Sequence, residues 1–275
     1  MPKALTAARR GETGRAAIRT NGDQTYNDAV VLGANCTVTG ENVTFASTID
    51  STALLAAAGL TVNSVNSGTT TFSGVIGGSA PLTSLTTDAA GVTKIGANIT
   101  TSGGTMTFND TVRLIGDVTL TDTGGTGVSF GSTLDSEGSA RALSIVLNRD
   151  SNATSANPTI AHISFSGDVG SAFALSSLSL GGDRTTSAAA ATIFAGINAG
   201  TPIPSYALSI TTTGDFRMGI GQKLSVLGDL TINSGGTARL GDISTLGAMN
   251  INAPSIVIQT RPGGANLLQG TGTGG

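Results

Sequence analysis

The chain has no tryptophan, and among its 275 residues it holds one cysteine, one histidine and 7 prolines. Aromatic residues amount to 4% and charged residues to 11%. Each shortage removes a class of protein. A single thiol, Cys36, supplies neither a disulfide framework nor a cysteine-based metal site. A single imidazole, His162, has no motif partner with which to act as a general base. So few aromatics exclude an ordinary core, and so few charges exclude a salt-bridged helical protein. The scarcity of proline and the lack of a Gly-X-Y period exclude collagen. No stretch approaches the roughly 18 uninterrupted apolar residues of a membrane-spanning helix.

What is present in excess is small. Glycine accounts for 40 residues, threonine for 42 and serine for 28. Hydrophobic residues still reach 39% and mean hydropathy is positive, which is not the signature of disorder. The composition describes a β-rich chain of short aliphatic strands, small polar residues and glycine turns. Net charge is -3, so nothing in the balance calls for nucleic acid as a partner. Residues 1–20 stand apart, with Lys3, Arg9, Arg10, Arg15 and Arg19 against Glu12. They lack the apolar run of a secretory signal and are read as a disordered basic leader or overhang.

The chain repeats itself, which is the first property to settle in such a composition. TYNDAVVLGANCTVT at 25–39 aligns with TFNDTVRLIGDVTLT at 107–121. The pairs include Tyr26 with Phe108, Asp28 with Asp110, Val30 with Val112 and Leu32 with Leu114. After a short insertion, VTFASTIDS from Val43 aligns with VSFGSTLDS from Val128. A wider spacing links FSGVIGGSAPLTSLT from Phe72 with FSGDVGSAFALSSLS from Phe165. Module order is kept while spacing varies, as in a solenoid whose loops lengthen without disturbing the stack.

Beneath the repeat lies a finer alternation. Leu60-Thr-Val62, Cys36-Thr-Val38, Val118-Thr-Leu120 and Leu230-Thr-Ile232 place aliphatic side chains on one strand face and threonine on the other. Gly- and Asn-rich turns separate the clusters, as at 66–68, 102–104, 123–127, 181–183 and 234–236. The Ala-rich segment 187–200 is the best candidate for a helix, although it reads equally well as strand and turn. Two or three strands per coil of about 20–25 residues predict an all-β, right-handed parallel β-helix of about ten to twelve short rungs over residues 21–265, followed by a Gly-rich tail at 266–275. The alternative is an array of Ig-like β-sandwich repeats. Cys36 is then a small buried hydrophobe. Asn63, Asn66 and Asn98 are candidates for internal amide ladders.

LTVNSVNSGTTTFSGVIGGSAPLTSLTTDAAGVTKIGANITTSGGTMTFNDTVRL, from Leu60 to Leu114, resembles the β-strand repeats of very large bacterial surface proteins, the filamentous haemagglutinin-like adhesins and exoproteins. Gly228 to Arg261 resembles the same group. The resemblance implies an extracellular β-helical rod on the bacterial outer surface, exported by an outer-membrane secretion partner. It also implies binding to a host or neighbouring-cell surface through the full-length protein. This chain shows no signal peptide, secretion domain or membrane barrel, so it reads as a fragment of a longer exoprotein.

Catalysis finds little material. A polysaccharide lyase or glycosidase on a β-helix would use converging carboxylates. Here Asp28, Asp50, Asp110 and Asp135 recur at matched repeat positions, which points to turn or capping roles. The one mixed-charge run, Asn148-Arg149-Asp150, reads as a loop. GGDRTTS at 181–187 and SGGTARLGD at 234–242 carry too few acidic oxygens for calcium, and no phosphate-binding loop is present. The sequons at Asn35, Asn42, Asn98 and Asn152 are expected by chance in so Thr-rich a chain. Thr37/Thr39 and Thr119/Thr121 form outward rows able to meet solvent, carbohydrate or ice. The expectation is a non-enzymatic rod segment of a surface adhesin, with no catalytic, cofactor or metal residues and no small-molecule substrate. The alternative is a β-helical carbohydrate-binding or polysaccharide-degrading protein.

Overall fold

The alternation read from sequence becomes a coil of parallel strands. The structure, a computed structural model, describes residues 3–5, 15–52, 57–124, 127–148, 162–167, 169–170, 172–173, 175–183, 192–194, 207–212, 216–218, 223–226, 229–245, 247–258 and 268–270. No helix occurs among them.

Three parallel sheets wrap one axis. Face 1 begins with Lys3–Leu5, Val30–Leu32 and Ile49–Ser51 and crosses single bridges at Ile76 and Leu82. It continues through Ile99–Thr101, Val118–Asp122, Ala142–Asn148, Ser177–Asp183, Ala207–Thr212, Asp229–Ser234 and Met249–Asn252. Face 2 runs Arg15–Arg19, Asn35–Gly40, Leu60–Ser64, Leu85–Thr87, Met106–Phe108, Gly127–Phe130 and His162–Phe165. Thr192–Phe194 packs against the last of these and opens a further sheet with Phe216–Met218, Thr237–Leu240 and Ser255–Ile258. Face 3 holds Gln24–Tyr26, Val43–Phe45, Thr69–Phe72, Val92–Ile95, Thr111–Leu114 and Leu134–Ser136. Lys223–Val226, Asp242–Thr245 and Leu268–Gly270 form the corresponding sheet later in the chain.

Every paired strand runs parallel to its neighbour, which excludes the antiparallel Ig-like alternative. Among the described residues eight turns carry a strand on all three faces, a count slightly different from the ten to twelve rungs expected. In two intervening turns a face is reduced to isolated bridges, at Ile76 and Leu82 in one and at Val169 in the other. The boundaries also shift. Arg15–Arg19 pairs with Asn35–Gly40 and Leu268–Gly270 pairs with Asp242–Thr245, so the coil reaches into both the basic leader and the Gly-rich tail. Most of the 187–200 segment lies outside the described residues; Thr192–Phe194 within it is a strand.

The core is a set of columns along the axis. On face 2, Cys36, Leu60, Leu85, Met106, Val128 and Ile163 stack in register, all buried. Cys36 thus sits where a small hydrophobe belongs, and burial pushes its thiol above the ordinary pKa. The scarce aromatics are concentrated into two stacks. Tyr26, Phe45 and Phe72 stack on face 3 with centroids 4.8 and 5.6 Å apart. Phe108, Phe130 and Phe165 stack on face 2 at 5.3 and 5.0 Å. The strand repeat of about 4.8 Å brings rings on successive rungs to stacking distance without any further adjustment.

These stacks explain the internal repeat. Counting strand positions along the chain, with the Ile76 bridge as one position, Tyr26 is on the third and Phe108 on the fourteenth. Phe45 and Phe130 are on the sixth and seventeenth, and Phe72 and Phe165 on the ninth and twentieth. All three matches advance eleven positions, which on a three-sided coil is one face short of four full turns. The copies therefore lie on different faces. The unequal residue offsets are corner insertions between equally counted strands.

Candidate functional site

Three features of the coil can carry chemistry: its outer faces, its corners and its few buried polar groups. On face 2, Thr37, Thr61, Thr86, Thr107 and Ser129 follow one another in register as an outward hydroxyl column. On face 1, Thr119, Ser144 and Ser179 begin a column that the register extends through Ser209 to Thr231. Thr37 and Thr119, expected in outward rows, thus each stand in a register column along the axis; on face 2 the column is preceded by Ala17. Face 3 changes character along its length. Thr25, Thr44 and Thr71 give way in register to Lys94, Arg113 and Asp135. Lys94 Nζ reaches Glu137 Oε1 at 2.6 Å, across the intervening strand Thr111–Leu114. Both side chains are partly exposed, so this pair adds little stability.

The corners use the acidic and amide residues. Asp50 Oδ1 accepts the N–H groups of Ser79 and Ala80 at 2.9 and 3.1 Å. Its repeat partner Asp135 accepts those of Ala172 and Phe173 at 2.9 and 3.2 Å. The adjacent serines match as well: Ser51 Oγ accepts from Ala58 N and Ser136 Oγ from Arg141 N. Asn35, Asn98, Asp117 and Asp229 each cap a backbone N–H one turn further on, at Gly59, Thr119, Ala142 and Ala248. The capping role read from repetition holds for Asp50 and Asp135. It takes a form the sequence did not show, because each side chain bridges neighbouring turns instead of closing its own.

Two readings need correction. Asn63, Asn66 and Asn98 build no internal ladder. Asn66 is an exposed turn residue at φ 56, Asn98 is exposed, and Asn63 lies on the outer side of its strand. An amide contact between rungs does occur, but on the surface, where Asn252 Nδ2 donates to Asn233 Oδ1 at 2.9 Å. Asp28 and Asp110 also part company. Asp28 is exposed, whereas Asp110 is sealed inside the coil at 1% exposure. Thr87 Oγ1 donates to Asp110 Oδ1 at 2.9 Å, and Thr93 Oγ1 lies 2.9 Å from both carboxylate oxygens. Burial raises the Asp110 pKa to about 6, against the opposing effect of those two hydroxyls.

The remaining candidates stay apart. His162 opens the strand His162–Phe165, its backbone in register with Gly127. Asn148 ends the strand Ala142–Asn148, and Arg149 and Asp150 lie outside the described residues. Among the described residues no three His, Cys, Asp or Glu side chains gather as a metal site. A shallow groove of about 230 Å³ opens on face 2, lined by Asn35, Cys36, Thr37, Gly59, Thr61 and Ser84. Its walls are hydroxyl and amide groups, which can exchange hydrogen bonds with a neutral polar ligand. No family model, curated protein or solved structure matches the chain.

Proposed function

We propose that this chain is a rod-forming, non-catalytic segment of a bacterial surface adhesin, of the filamentous haemagglutinin-like kind that its repeats resemble. The observation that supports this reading is the even stack itself. On face 2, strand after strand presents small hydroxyls outward and aliphatic columns inward, while corner carboxylates cap backbone N–H groups of adjacent turns. Such a coil is stiff because each turn is bonded along three faces to the next, and its length can grow by adding turns. The full-length protein would use it to hold a binding region away from the cell and to meet a host or neighbouring-cell surface.

The test places the chain between an outer-membrane anchor and an epitope tag on bacteria. Super-resolution imaging should show the tag displaced outward by tens of ångströms, and displaced twice as far by two tandem copies. A tag that stays at the membrane would refute the rod. A second reading, a carbohydrate-binding coil, is favoured by the groove beside Asn35 and Thr61. Soluble glycans retained by the protein, and lost with Thr61→Val, would support it. Release of new reducing ends from a polysaccharide would instead indicate a degrading enzyme.

A further inference from the structure

The interior of the coil is mostly apolar; the buried carboxyls among the described residues are Asp110, Asp122 and Asp135, and Asp110 lies where face 2 turns into face 3, hydrogen-bonded to hydroxyls and to no cation. Asp110 occupies that corner, just after the strand Met106–Phe108. Its hydrogen-bond partners are its own backbone N–H and the hydroxyls of Thr87, on the strand before it on face 2, and Thr93, on face 3. Thr70 precedes Thr93 in the same inward column; it too is fully buried, and its hydroxyl has no hydrogen-bond partner. Three threonines thus occupy positions that elsewhere hold Val38, Val62, Val43 or Val112. A buried carboxylate served only by neutral donors is a costly arrangement when ionised and a comfortable one when protonated, because the acid form brings its own O–H donor.

The charged groups on the surrounding strands do not relieve it. Leu85–Thr87, Met106–Phe108 and Thr69–Phe72 carry none. Lys94, next to Thr93, lies on the outer side of its strand and pairs with Glu137. Arg113 occupies the outer register position on Thr111–Leu114. The like charge that acts on it is Asp88, whose Oδ1 accepts from Ser64 N and Oγ and whose repulsion adds to the effect of burial on Asp110.

We propose that Asp110, with Thr87, Thr93 and Thr70, forms a proton-operated latch at the middle of the rod: the protonated carboxyl closes the corner, and its ionisation loosens the turns it joins. The direction follows from linkage. A carboxyl of ordinary pKa in the unfolded chain and raised pKa in the coil is bound more tightly to its proton when folded. The unfolded state then holds fewer protons, so stability falls as pH rises through that window and is highest at mildly acid pH. This is opposite to the behaviour of a carboxylate in a salt bridge.

The experiment follows thermal unfolding of the chain from about pH 7.5 to about pH 4.5, alongside NMR titration of the Asp110 side-chain carbon. The wild-type protein should gain roughly 5 °C in Tm on acidification, the order expected for a shift of this size in a chain of this length. Its carboxyl should titrate near pH 6. Asp110→Asn should remove that gain, while the exposed repeat counterpart Asp28→Asn should keep it. Thr93→Val, which removes a donor to the carboxylate, should move the midpoint higher. A carboxyl that titrates near pH 4, or an acid gain equally large in Asp110→Asn, would overturn the latch.

Discussion

Phe45 illustrates how few side chains hold this coil. It lies between Tyr26 and Phe72, fully buried, with ring planes 9° and 15° from parallel. Phe45→Ala removes the middle of the stack and leaves a void that the hydrogen-bonded turns on either side cannot close. The expected cost is about 3–5 kcal/mol, read as a fall in the denaturation midpoint. Phe45→Leu, which fills most of the volume, should cost clearly less. The same scale shows where the sequence was readable. That Cys36 stands in for an aliphatic followed from alternation and from the repeat, where Val118 is its counterpart. The burial of Asp110 did not, because TYND at 25–28 and TFND at 107–110 are nearly identical while Asp28 is exposed. What seals Asp110 is Thr87 and Thr93, contributed by neighbouring strands 23 and 17 residues away. A local motif cannot report partners that arrive through stacking.

Strands and corners respond differently to a change in length. Within a strand, period-2 alternation makes register strict: one added residue sends every following side chain to the opposite face. In a corner, added chain leaves the stack. The matched motifs show that the molecule already exploits this, since offsets of different lengths all span eleven strand positions. Two Gly-Ser residues inserted between Asn66 and Ser67, in an exposed corner, should therefore lower the melting temperature by only a few degrees, the loop-closure penalty being small. One alanine inserted between Val112 and Arg113 should abolish cooperative unfolding followed by circular dichroism. Not all corners are permissive. Gly77 and its repeat counterpart Gly170 both have positive φ, at 68° and 70°, and a Cβ on Gly77 would run into the carbonyl oxygen of Thr100. Gly77→Ala should accordingly be more disruptive than the corner insertion. At this scale the sequence showed strand positions and turn chemistry well. It did not show that the repeat copies sit on different faces, because residue spacing carries no count of strands.

For the whole molecule, stability is a sum over neighbouring turns, and the turn at an end has only one neighbour. Among the described residues, Ser255–Ile258 is the outermost strand of its sheet. It pairs on one side with Thr237–Leu240, which retains alternating burial, yet all four of its own residues are exposed. Ile256, Val257 and Ile258 reach 48%, 37% and 39% exposure, and they are three of the five large hydrophobics exposed among the described residues. An uncharged, β-branched strand that is paired on one side only among the described residues is the kind of surface along which chains associate. The central strands are protected because each has a neighbour on both sides. Val257→Lys places a charge on this edge, on the side where Arg239 of the preceding strand already stands in register. It should lower the weight-average mass seen by light scattering at high protein concentration while leaving the melting temperature within about 1 °C, as expected for a substitution outside the packed core. Thr61→Lys, in the middle of face 2, would serve as the control: it adds the same charge and touches no free edge, so it should leave association unchanged. Equal effects from the two would mean that net charge, and not the open strand, governs association.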